Sequence, residues 1–99
     1  MTDLARWVDA RTPPAPDDLL QRIRERTSEP GPSRGATPVT VLLEEGRRAL
    51  RRARRSTGRD RTSAFELLVA DALITYSCEA ALQSADPESE LLRLLTVAE

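Results

Sequence analysis

Read for the spacing of its apolar positions, the chain falls into five helical stretches separated by proline- and glycine-rich breaks. The longest runs from Ser63 to Gln83, and its apolar residues point in almost every direction. At about 100° per residue, Phe65, Val69, Ala72, Tyr76 and Ala80 make one stripe, with Leu67, Ala70, Ile74, Cys78 and Ala81 roughly opposite. A helix that is apolar all round is buried among several neighbours. This stretch is therefore expected to be the core rod of the fold, wrapped on every flank. Ser63 and Glu66 stand in the S-x-x-E relation of a capping box at its start. Its longest uncharged run, Ala72 to Cys78, is too short for a membrane span of about twenty residues.

The stretch before it has the cleanest amphipathic pattern. Thr37-Pro38 supplies a cap and a proline at the first helical position. Val39, Leu42, Leu43, Gly46, Ala49, Leu50 and Ala53 then fall within an arc of about 120°. Gly46, Ala49 and Ala53 put small side chains in that arc, so a partner helix can approach closely. Thr57-Gly58 ends the stretch, and residues 38–56 and 63–84 are expected to form an antiparallel hairpin.

Two shorter helices precede the hairpin and one follows it. Thr2 can cap Asp3 to Ala10, which places Leu4, Trp7 and Val8 on one face. Thr12-Pro13-Pro14 breaks it, and Pro16 starts a second helix reaching about Arg26, with Leu19, Leu20 and Ile23 inward. Residues 28–36 contain two Pro and two Gly and read as a flexible linker. On that division residues 1–27 are an N-terminal arm, docked on the rest or on a second subunit, and 37–99 are the helical core of a single domain. At the other end Asp86 caps, Pro87 begins a helix to about Ala98, and Leu91, Leu92, Leu94 and Leu95 cluster on one side. The expected fold is all-α, a small bundle of four to five helices, with the last one docked firmly.

Composition narrows the chemistry. Of 99 residues 39% are apolar, thirteen of them Ala, so the core is thin and self-association is a fair expectation. Histidine is absent, which removes His-based triads and His-containing zinc or di-iron sites built from this chain alone. Cys78 is the one cysteine, and its apolar mid-helix neighbours read as those of a small buried hydrophobe rather than a reactive thiol. No apolar signal segment opens the chain, so the cytoplasm is the default location. These observations lead to no catalytic, cofactor or metal residue.

Charge gives the other strong pattern. All fifteen basic residues are Arg, and the chain as a whole is at −1. Residues 47–61 nevertheless hold eight Arg against Asp60, a net +7, while residues 62–99 hold Arg93 against seven acids, a net −6. The candidates for binding a partner or an anion are therefore Arg47, Arg48, Arg51, Arg52, Arg54, Arg55, Arg59 and Arg61, together with Trp7 on its short terminal helix. Three readings fit the arginines: a solvated face paired with Glu44 and Glu45, a surface for an acidic protein partner or second copy, or a phosphate-contacting patch. Nucleic acid is the least favoured, because no aromatics interleave with the arginines and the following helix is too apolar and acidic for a recognition helix.

Four single residues complete the reading. Asp71 and Glu79 interrupt the apolar helix about 80° apart, an arrangement that suits pairing with arginines of residues 38–56 better than a joint carboxylate site. Tyr76 reads as a core aromatic with its hydroxyl at the edge. Trp7 reads as a staple into its own core rather than a hot spot for another chain. The function expected from all this is a non-enzymatic helical protein-interaction or adaptor module that self-associates as a homo-oligomer. The alternative is a nucleic-acid-associated regulator working through residues 47–61. An enzyme would have only Asp71, Glu79, Tyr76 and Cys78 as raw material.

Overall fold

The computed structural model describes residues 3–28, 37–55 and 61–98. It is all-α, with helices α1 (Asp3–Asp9), α2 (Asp17–Ser28), α3 (Pro38–Arg55), α4 (Arg61–Leu82) and α5 (Pro87–Ala98), and no strand among the described residues. The Thr2 cap, the 29–36 part of the linker and Thr57-Gly58 lie outside the described residues.

Local chemistry accounts for the helix starts that proline marks. The Thr37 hydroxyl accepts from the Thr40 amide at 3.2 Å, and the Asp86 carboxylate accepts from the Ser89 amide at 3.2 Å. Each satisfies a first-turn N–H that has no partner within its own helix. The expected capping box is not used. Helix α4 begins two residues early at Arg61, which puts Ser63 inside the first turn and leaves Glu66 for another role.

Helices α3 and α4 run antiparallel along most of their length. Val39 lies near Ala80, Gly46 against Leu73 and Ile74, and Arg52 beside Glu66, so one number rises as the other falls. Val39, Leu42, Leu43, Gly46, Ala49 and Ala53 are the buried face of α3, as its pattern predicts, with Leu50 half-buried. Gly46 marks the closest approach. A Cβ there would stand 2.8 Å from Ile74 Cγ1 and 3.3 Å from both the Ile74 amide nitrogen and Leu73 Cβ. Any side chain would force the helices apart, so the space between them explains the glycine.

The N-terminal helices pack on this pair in the same chain: Val8 of α1 and Ile23 of α2 are fully buried in the one core cluster. Helix α5 closes the other side less completely than expected. Leu94 is buried and Leu91 partly so, but Leu92 and Leu95 are exposed. Four leucines within five residues span more of a helix's circumference than one contact face can cover.

The larger correction concerns α4. It is not wrapped on all flanks. Leu67, Leu68 and Leu82 are 50%, 55% and 61% exposed, and Ala64, Asp71, Thr75 and Cys78 are exposed on the same face. Helices α1, α2, α3 and α5 are too few and too short to enclose a 22-residue rod. Cys78, expected in the core, is on the surface for the same reason.

Candidate functional site

Two constellations deserve the name of candidate site, and each lies partly where the sequence did not point. The first grows from Glu66. Its side chain is 7% exposed, and three arginines from two other helices surround it. Arg22 Nε and Arg26 Nη2 of α2 lie 3.6 Å and 3.9 Å from Oε1, and Arg52 Nε of α3 lies 3.6 Å from Oε2. Arg22 and Arg26 are one turn apart on one face of α2, and Ile23 anchors that helix in the core. Glu66 thus ties α2, α3 and α4 together electrostatically. All three contacts are longer than hydrogen bonds. Arg26 Nε, Arg52 Nε and Arg52 Nη2 are buried without a hydrogen-bond partner among the described residues. Beside this cluster a cleft of about 340 Å³ is lined by Arg22, Arg61, Thr62 and Phe65.

The sequence-predicted arginines divide. Arg47 and Arg51 lie 3.9 Å from Glu44 and Arg48 lies 3.0 Å from Glu45, all on their own helix. That is the solvated, self-paired arrangement. Arg52 turns toward Glu66 instead. Arg54, Arg55 and Arg61 are exposed and have no ion pair among the described residues; Arg59 lies outside them. Arg47, Arg51 and Arg54 also rim a second hollow of about 390 Å³ with Leu43, Leu50 and Ile74.

Trp7 is built into its own chain. Its ring meets Tyr76 edge-on, with centroids 6.0 Å apart, and Arg11 covers it with the guanidinium carbon 3.8 Å from the ring centroid. The indole N–H donates to Gln83 Oε1 at 2.9 Å. Arg11 also reaches Glu79 at 3.1 Å. This corrects the expected pairing of Asp71 and Glu79 with α3: Glu79 pairs with Arg11, and Asp71 stands exposed on the open face of α4. Tyr76 is buried as expected, and burial raises its phenol above the ordinary 10.0, reinforced by the nearby Glu79 carboxylate and opposed by Arg11.

The second constellation is the open face of α4. Ala64, Leu68, Asp71, Thr75, Cys78 and Leu82 follow one another at alternating spacings of four and three. That is the 3.5-residue rhythm of a helix-pairing seam. Helix α4 reads as apolar all round in sequence because one of its apolar faces belongs to the bundle and the other is left over.

Among the described residues, no group of acidic or cysteine side chains is placed to hold a metal ion, and no helix is long and apolar enough to cross a membrane. Comparison with protein-family models, with curated proteins and with solved structures finds no match to this chain.

Proposed function

We propose that this protein is a helical interaction module whose α4 seam pairs with α4 of a second copy. The observation that carries the reading is the uncovered apolar face itself, with Leu67, Leu68 and Leu82 each at least half exposed. An exposed apolar stripe of this kind marks an interaction site.

The pattern of the seam favours a second copy as occupant, in antiparallel orientation. A two-fold interface must be self-complementary. Positions 64, 68, 71, 75, 78 and 82 are symmetric about the level of Leu73. Turning one helix end for end sets Ala64 against Leu82, Leu68 against Cys78, and Asp71 against Thr75. Small meets large, and the carboxylate meets a hydroxyl donor. A parallel pair would set Asp71 against Asp71, a like-charge contact that disfavours it.

The size of the seam sets the strength. From Ala64 to Leu82 is about 27 Å at 1.5 Å per residue, and a helix is about 10 Å wide, so roughly 550 Å² is covered in total. That is well below the 1,200 Å² or more of a stable complex. The pairing is therefore weak and depends on concentration. Molar mass by light scattering over a dilution series tests it. The expected result is a rise from monomer toward dimer in the high micromolar range, abolished by Leu68→Glu. A constant monomer mass into the millimolar range contradicts the proposal.

A further inference from the structure

The arginine cluster at the α2–α4 junction is independent of that seam. From its geometry we infer a binding site for a small phosphoryl anion, in the cleft between Arg22 and Arg61.

Charge is the first argument. Arg22, Arg26 and Arg52 all converge on one carboxylate, Glu66, and Arg61 adds a fourth guanidinium at the cleft wall. Glu25 offsets part of Arg22 at 3.4 Å, but it is itself half exposed. Among the described residues, four cations meet two carboxylates, an excess of two positive charges that matches a phosphate dianion. Nothing in a purely structural ion pair calls for that excess, and clustering arginines without counter-charge is costly.

Unused donors are the second argument. Buried N–H groups nearly always find acceptors, yet behind the cleft, which Arg26 and Arg52 do not line, three of their guanidinium nitrogens have no hydrogen-bond partner among the described residues, and their contacts to Glu66 are too long to be hydrogen bonds. The cluster therefore keeps positive charge behind the cleft that Glu66 does not take up in hydrogen bonds. Access is the third. The cleft is open to solvent beside Arg22, and its wall offers the forked donors of Arg22 and Arg61 and the hydroxyl of Thr62. Forked guanidinium groups suit phosphoryl oxygens in two-point hydrogen bonds. The first turn of α4, free of acidic residues, adds its positive end to the same place.

The cations converge on a point rather than line a track. A duplex needs phosphate contacts spread along its backbone, so the site suits one or two phosphoryl groups on a small molecule. Bound there, the anion takes hydrogen bonds from Arg22, Arg61 and Thr62, while Arg26 and Arg52 hold it electrostatically from behind Glu66.

The test is titration of the full chain with inorganic phosphate and with pyrophosphate, read by calorimetry and by the arginine Nε–H signals in NMR. The expected result is saturable binding, tighter for pyrophosphate. Arg22→Gln should weaken it about tenfold, the loss of one charge-assisted hydrogen bond, whereas Arg48→Gln, whose ion pair is with Glu45 and which does not line the cleft, leaves it unchanged. Glu66→Gln should tighten it by removing the competing carboxylate. If that variant fails to fold, Arg61→Gln serves, since its side chain makes no ion pair among the described residues, and about tenfold weakening is expected again. Absence of saturation, equal loss in Arg48→Gln, or duplex DNA binding more tightly than pyrophosphate at matched phosphate would overturn the inference.

Discussion

Replacing Gly46 by alanine separates two physical effects that this fold sets against each other. Alanine gains about 1 kcal/mol of helix propensity over glycine in a helix interior. Its Cβ, however, would stand 2.8 Å from Ile74 Cγ1 and 3.3 Å from the Ile74 backbone nitrogen. The first atom belongs to a β-branched side chain that is stiff at χ1, and the second cannot move without shifting α4. Overpacking of that kind costs about 1–3 kcal/mol. With a backbone atom in the way, the upper half of that range applies, so Gly46→Ala should lose about 1–2 kcal/mol net. In a domain of this size each kcal/mol is about 4–8 °C in Tm. The assay is urea denaturation followed by helical circular dichroism, with Ile74→Ala and the double variant completing a cycle. The double variant should recover at least about 1 kcal/mol relative to additivity, because removing Cγ1 makes room for the new methyl. A Gly46→Ala protein as stable as the original, or more so, would refute the close approach of α3 and α4.

Three further outcomes follow from the structure. Glu66→Gln leaves Arg22, Arg26 and Arg52 without their shared counter-charge, and should cost about 2–3 kcal/mol in urea denaturation, less than a fully buried pair because the arginines keep some water; phosphate should restore part of the loss, and a neutral effect would remove Glu66 as the tie between α2, α3 and α4. Tyr76 is the one tyrosine, so tyrosinate absorbance reports it alone. Its folded-state value is raised, so the stability it contributes is fully present below 10.0 and is lost as pH climbs through the raised value. Ionisation at the ordinary value with helicity intact would contradict its burial. Cys78, exposed on the seam, should react readily with a thiol reagent in dilute native protein and more slowly as concentration rises; a rate independent of concentration would speak against a covered seam.

Much of the fold was legible because prolines and caps punctuate it. Thr37-Pro38 and Asp86-Pro87 start helices where the sequence places them, and the buried arc of α3 matches its spacing. Three things were not legible, each for a physical reason. Spacing shows which faces of a helix are apolar but not how many neighbours exist to cover them, so the open side of α4 and the exposed Leu92 and Leu95 were read as core. Glu66 was read through its local relation to Ser63, whereas its partners Arg22, Arg26 and Arg52 come from helices distant in sequence. The pairing of Arg22 and Arg26 on the face of α2 that carries Ile23 was the available hint of an acid waiting opposite. Glu79 likewise found Arg11, whose place over Trp7 depends on how the chain turns after α1. Arg47, Arg48 and Arg51, by contrast, behave as the local sequence implies, because Glu44 and Glu45 are near enough to pair with them.

The antiparallel α4 seam is tested most directly by disulfide trapping between chains. In a Cys78→Ser background, Asp71→Cys protein is mixed with Thr75→Cys protein under mild oxidation, and each is also oxidised alone. The two-fold pairing about Leu73 predicts that the mixed disulfide forms much faster than either homodisulfide. Preferential Asp71→Cys homodisulfide, or equal slow formation of all three, would contradict it.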